Sequence, residues 1–129
     1  IKREGSDVTI VSFGKIIKEA YKAADELAKE NISCEIIDLR TVRPLDTETI
    51  LKSVKKTNRL VILEEAWPFG NVATEITFQV QSKAFDYLDA PIEKINTADT
   101  PAPYSPVLLK EWLPDSEDVI NSVKKVLYK

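Results

Sequence analysis

Residues 34–63, CEIIDLRTVRPLDTETILKSVKKTNRLVIL, decide the fold. CEIIDL at 34–39 reads as a short strand. The loop RTVRP follows it. Asp46 then stands where an N-cap belongs, ahead of a helix whose apolar positions are Ile50, Leu51 and Val54. LVIL at 60–63 is a continuous apolar run and the most buried-looking strand of the chain. Strand, helix and strand in succession argue a parallel sheet with right-handed crossovers.

The same grammar extends in both directions. VTIVS at 8–12 is another β-branched apolar strand, followed by Gly14. Ile17, Ala20, Tyr21, Ala24, Leu27 and Ala28 then make one apolar stripe on a helix of about four turns, with Asn31 as its C-terminal cap. Downstream of EEAWPFG, a helix is marked by Val72, Ala73, Ile76 and Val80. Pro91 precedes a fourth strand at 92–97, whose polar alternation predicts an edge. Residues 97–114 show no clear period and hold Pro101, Pro103, Pro106 and Pro114. They are expected to be irregular, as functional segments or segments packed on a neighbour are. Asp115 or Ser116 caps a last helix with its stripe at Val119, Ile120, Val123, Val126 and Leu127. Alternating elements predict an α/β protein, a three-layer α/β/α sandwich with a mostly parallel sheet of four to five strands. Strand order is not written in the periodicity. A chain of 129 residues fits one domain, residues 1–129.

Composition removes whole classes of chemistry. There is no histidine, so neither an imidazole acid–base nor a histidine metal ligand exists here. The single cysteine, Cys34, permits no internal disulfide and no paired-cysteine redox or zinc motif. Without a histidine to activate it, Cys34 is expected to pack as a small apolar residue. Gly5, Gly14 and Gly70 are the only glycines, too few for a glycine-rich phosphate loop. No apolar run approaches the ~18 residues of a membrane span, and no charged-then-apolar leader opens the chain. The chain has no methionine, which is expected of a processed protein or a piece of a longer one.

A net charge of −3 argues against non-specific nucleic-acid binding. Its distribution is uneven, because residues 64–100 hold seven acids against Lys83 and Lys94 and are −5 by themselves. That stretch reads either as a solvated acidic face or as a docking patch for a basic partner.

Ligands of open α/β sheets sit beyond the carboxyl ends of the strands. Those ends carry Asp38, Arg40 and Arg43 after the second strand, and Glu64, Glu65 and Trp67 after the third. Arg40 and Arg43 form either an anion or partner site, or an ion-pair cluster with Glu64 or Glu65 that pins loops or a domain interface. Trp67, Phe69, Tyr104 and Trp112 are expected in loops, where aromatics cap the core or anchor protein interfaces. Glu64 and Glu65 are adjacent and point to opposite faces, so a paired-carboxylate mechanism is not expected of them.

The run CEIIDLRTVRPLDTETILKSVKKTNRLVILEEAWP resembles the C-terminal domain of the beta subunit of pyruvate dehydrogenases. AFDYLDAPI and ADTPAPY follow in the order and spacing of the same family, and the likeness runs from EGSDVTIVSFG to the final helix. Where many relatives continue with glycines after Trp67-Pro68, this chain reads FGNVATEI, with Asn71, Ala73 and Thr74 at positions that are often glycine. The resemblance implies that residues 1–129 are the C-terminal domain of a longer subunit whose preceding domain binds the thiamine ring. It implies a parent enzyme that decarboxylates pyruvate and reductively acetylates lipoyl groups, with thiamine diphosphate and magnesium held elsewhere in the assembly. The implied partners are the alpha subunit, a second beta subunit and the basic subunit-binding domain of the acyltransferase core. Asp89 falls on the family's acidic docking position, with Asp86 and the terminal residue Lys129 beside it. Local sequence reads Asp89 instead as a turn former ahead of Pro91. The implied compartment is the cytoplasm in a bacterium and the mitochondrial matrix in a eukaryote. Two alternatives stand beside this reading: a branched-chain 2-oxo acid dehydrogenase beta subunit, and a free-standing non-enzymatic α/β ligand-binding or regulatory domain.

Overall fold

Four parallel strands form the sheet of the computed structural model, which describes residues 1–129. They are β1 (Val8–Ser12), β2 (Cys34–Asp38), β3 (Leu60–Leu63) and β4 (Glu93–Ile95), lying side by side in the order β2-β1-β3-β4. Between and after them run α1 (Ile17–Lys29), α2 (Thr47–Thr57), α3 (Val72–Ala84), α4 (Pro106–Trp112) and α5 (Ser116–Val126). Because alternate strand residues face opposite sides, Val8, Ile10, Ile36, Val61 and Leu63 pack under α1 and α5. Val11, Ile37, Leu60 and Ile62 pack under α2 and α3 on the other face. Every residue of β1 and β3 is buried, and each buried aliphatic side chain there contributes about 1.5–3 kcal/mol relative to exposure. The three-layer sandwich is therefore held from the two central strands outward.

The direction in which strands are added reverses at the middle of the sheet. The unit β1–α1–β2 steps one way and β3–α3–β4 the other, on opposite faces, so the topological switch point lies between β1 and β3.

Helix ends follow their cap chemistry. Asp46 accepts the Thr49 N–H at 3.0 Å, and Asp115 with Asp118 forms a capping box on α5. Asn31 adopts a left-handed φ of 60° just past α1, as a helix-terminating residue does. Asn71 caps α3 by accepting the Thr74 N–H at 2.9 Å, and its own amide donates to the Trp67 carbonyl at 2.6 Å. That is the work done here by a residue standing where relatives often carry glycine.

Four expectations change. Residues 97–114 are not wholly irregular, because Pro106 opens the seven-residue helix α4. α4 buries no residue, so it carries no apolar stripe for periodicity to detect, and Trp112 belongs to its last turn rather than to a loop. β4 is confined to Glu93–Ile95, within the expected 92–97, and β2 ends at Asp38, one residue before Leu39.

A buried polar network on the α2 face went unseen in the sequence. Thr9 Oγ1 is hydrogen-bonded to Ser53 Oγ at 3.0 Å and to Thr57 Oγ1 at 2.7 Å. The Ser53 hydroxyl and the Lys56 ammonium both donate to the fully buried Glu35 carboxylate, which also accepts the Gly5 N–H at 3.3 Å. Burial pushes the Glu35 carboxyl up, but the Lys56, Ser53 and Gly5 donors together outweigh it and hold the group below its ordinary value. The network fastens the N-terminal segment to β2, where Lys2 N donates to Ile36 O at 2.8 Å and Ile36 N donates to Arg3 O at 2.9 Å. Gly5 is required there, since a Cβ would lie 2.2 Å from the backbone of Cys34 and Glu35.

Candidate functional site

Beyond the carboxyl ends of β1 and β3 the chain opens a cleft of about 680 Å³, at the switch point of the sheet. Phe13 follows β1, the loop Glu64 to Asn71 follows β3, and Trp112 closes the far side from α4. Trp67 and Trp112 each donate an indole N–H at 2.9 Å to the carbonyl of Thr100, which fixes both rings on the Pro-rich segment. Trp67 is 51% exposed and Phe69 90% exposed, so apolar surface faces outward at the rim.

Glu64 is the buried polar group of this cleft. Its carboxylate accepts the Asn96 amide at 2.9 Å and the backbone N–H of Ala73, in the first turn of α3, at 3.2 Å. Burial pushes its carboxyl above the ordinary range, against the Asn96 and Ala73 bonds and the nearby Lys94 charge. Glu65, one residue on, is exposed.

The expected cluster of arginines with Glu64 or Glu65 does not form. Arg40 turns back, with a φ of 58°, to pair Nε with Asp38 Oδ2 at 2.5 Å. Arg43 is exposed ahead of Pro44 and makes no ion pair. The reason is local: a carboxylate two residues away captures Arg40, while Glu64 is turned inward to Asn96 and α3. Cys34 is fully buried, and burial pushes its thiol up to about 11, which removes nucleophilic character at neutral pH.

At the other end of the sheet, ahead of β4, lies Asp89. Its backbone N–H donates to the Asn58 carbonyl at 2.9 Å, its own carbonyl accepts the Tyr128 hydroxyl at 3.2 Å, and its carboxylate stands 3.5 Å from Arg59 Nη2. Asp86 is exposed in the 3-10 turn Phe85–Tyr87. The Tyr128 contact ties the segment after α5 to the same turn, along a shallow apolar groove that includes Phe85, Leu88 and Ile92, while the Lys129 N–H donates back to the Lys124 carbonyl at 3.0 Å. The acidic stretch 64–100 is thus divided rather than one face. Glu64, Glu65 and Glu75 line the cleft, Asp86 and Asp89 lie at the opposite end, and Glu93 pairs with Lys125 at 2.8 Å.

The residues of this chain do not fit a diphosphate with its metal. No set of three or more Cys, Asp or Glu side chains converges to hold a metal ion. Gly14 and Gly70 stand singly in separate turns rather than in one glycine-rich loop, and Gly5 is pressed on the backbone of β2. No helix is long and apolar enough to cross a membrane.

A family model described as the C-terminal domain of transketolase matches residues 1–119. The pyruvate dehydrogenase E1 component subunit beta of Rickettsia felis is 56% identical over 128 residues, covering 99% of this chain and 39% of the relative. The mitochondrial E1 subunit beta of Dictyostelium discoideum is 48% identical over 126 residues, covering 98% of this chain and 35% of the relative. A solved structure described as a split gene transketolase, inactive beta4 tetramer, superposes with a TM-score of 0.84 at 27% identity, covering 98% of this chain and 40% of that one. The chain therefore spans between 28% and 39% of the length of curated relatives such as these.

Proposed function

Since the chain belongs to the transketolase C-terminal domain family, we infer that it is the assembly and docking domain of a pyruvate dehydrogenase E1 beta subunit. The observation that carries this reading is identity of 56% sustained across 128 residues with a protein of that name. In it, residues 1–129 are one domain of a longer subunit. Thiamine diphosphate and magnesium belong to the assembled parent enzyme, where they supply the decarboxylating chemistry. What this chain's own residues supply is a rigid sheet with two presentable ends.

The reading names three partners: an alpha subunit, a second beta subunit, and the subunit-binding domain of the acyltransferase core. The last is received at the turn of Asp89, where a carboxylate with 57% side-chain exposure stands beside the apolar groove of Phe85 and Ile92. The compartment follows the source: the mitochondrial matrix in a eukaryote, the Dictyostelium relative being named mitochondrial, and the cytoplasm in a bacterium.

The test is reconstitution. The complete subunit that carries this chain, co-expressed with its alpha partner, should decarboxylate pyruvate when given thiamine diphosphate and magnesium. Preference for branched-chain 2-oxo acids would move the assignment to the branched-chain enzyme. No 2-oxo acid turnover at all, with an intact heterotetramer, would favour a non-enzymatic domain.

A further inference from the structure

The cleft beyond β1 and β3 has a chemistry for which the proposed function names no ligand. Three carboxylates line it, Glu64, Glu65 and Glu75, and no basic side chain does. None of the three is engaged in an ion pair. Lys94 stands nearby, but its ammonium donates to the Pro68 carbonyl at 3.1 Å and to Thr74 Oγ1 at 3.2 Å. Glu75 accepts only the neutral Gln79 amide, at 2.7 Å. Around these acids the walls are aromatic, with Trp67 and Phe69 presenting exposed ring surface.

Carboxylates that form no ion pair, beside open aromatic faces, are complementary to a cation and best matched by a guanidinium. A guanidinium is planar, stacks on aromatic rings, pairs with carboxylates in a fixed fork and is more weakly hydrated than an ammonium. We propose that this cleft is a docking site for an arginine side chain carried by a neighbouring polypeptide, stacked on Trp67 or Phe69 and paired with Glu65 and Glu75. A volume of about 680 Å³ exceeds what one guanidinium fills, so the flanking backbone of the partner segment occupies the remainder. Apolar surface at the rim, from Phe69, is of the kind that anchors protein contacts. This site is separate from the turn of Asp89, since the cleft follows the carboxyl end of β3 whereas Asp89 precedes the amino end of the parallel strand β4. The inference stands on the cleft alone and survives failure of the pyruvate dehydrogenase assignment.

The chain carries its own reporter, because its only two tryptophans, Trp67 and Trp112, both line the cleft. The 129-residue chain is titrated with the peptide acetyl-Gly-Arg-Gly-amide, with the citrulline counterpart as neutral isostere and the lysine counterpart as a compact cation. Saturable change of tryptophan emission is expected with the arginine peptide, about tenfold weaker with citrulline, and about tenfold weaker in the Glu65→Gln/Glu75→Gln variant. Circular dichroism of that variant verifies that it is folded. If it is not, Glu75→Gln alone and the peptide comparison carry the test. No saturable response up to about 10 mM peptide would overturn the proposal, as would equal binding of the citrulline peptide. A folded variant that binds arginine as tightly as the parent would overturn it too. Equal binding of the lysine peptide would overturn the guanidinium assignment.

Discussion

Trp67 and Trp112 share one acceptor, the carbonyl of Thr100, which takes an indole N–H from each at 2.9 Å. This single oxygen ties the loop after β3, the Pro-rich segment and α4 into one unit. It matters because α4 buries no residue of its own and so has little hydrophobic reason to stay in place. Two backbone bonds help it: Thr97 N donates to Ala66 O at 3.0 Å, and Ala98 N donates to Trp112 O at 3.1 Å.

Trp112→Phe keeps most of the ring and removes one indole donor. The expected loss is about 1 kcal/mol, and it should appear as local opening rather than global unfolding. Limited proteolysis within residues 98–106 should accelerate severalfold while the urea midpoint moves little. A large shift in the midpoint with unchanged proteolysis would mean that the segment is held by something other than these bonds.

At Gly5 the obstacle is space rather than conformation. A methyl group there would meet the Cys34 carbonyl carbon and the Glu35 nitrogen at 2.2 Å, both of them backbone. Gly5→Ala should cost about 2–4 kcal/mol, or detach the N-terminal segment from β2. Hydrogen exchange at the Ile36 amide, which donates to Arg3, separates these outcomes, since detachment exposes it selectively. Gly14 gives the contrast: it has open space but a φ of +70°, so Gly14→Ala should cost only about 1 kcal/mol.

Two buried glutamates should respond to pH with opposite sign. The folded state lowers the Glu35 carboxyl, so its contribution is present above the ordinary value of 4.5 and fades as pH falls through the lower folded value. The folded state raises the Glu64 carboxyl, so its contribution is present below 4.5 and is lost as pH rises through the higher folded value. Urea unfolding from about pH 3 to about pH 7 tests this with Glu35→Gln and Glu64→Gln. The stability gap between parent and variant should widen with rising pH for Glu35 and narrow for Glu64. Gaps that move together would refute the assignment of the two environments.

What was legible in the sequence follows from what periodicity encodes. β1, β2 and β3 stood out because buried strands need consecutive apolar residues, and the caps Asp46 and Asp115 because their side chains bond locally. α4 was invisible because Val107 and Leu108 face outward and leave no stripe. The pairing of Arg40 with Asp38 in place of Glu64 turned on a positive φ that no pattern announces. The Glu35 network was hidden because its members come from β1, β2 and α2, brought together by strand register. One clue did exist: Glu35 interrupts an otherwise apolar run, and a charge there has to find donors.

Asp89 and Arg59 offer the sharpest test of the docking assignment. The carboxylate is 57% exposed and 3.5 Å from the guanidinium, so Arg59 competes with any basic partner for the same charge. In the assembled enzyme, Asp89→Asn should weaken capture of the acyltransferase's subunit-binding domain, while pyruvate decarboxylation by the free enzyme stays near normal. An exposed pair is worth roughly 0.2–1 kcal/mol, so the expected loss is about 1.4- to fivefold in affinity, smaller at high salt. Arg59→Gln removes the internal competitor and should strengthen capture by a similar factor, provided that loss of the 3.1 Å bond from Arg59 Nε to the Val126 carbonyl leaves α5 in place. Surface-binding measurements at two salt concentrations, with a thermal melt of each variant, read both effects. Opposite shifts from the two variants place the Asp89 charge in the interface. Unchanged affinity in both at low salt returns Asp89 to its turn, where its backbone already bonds Asn58 and Tyr128.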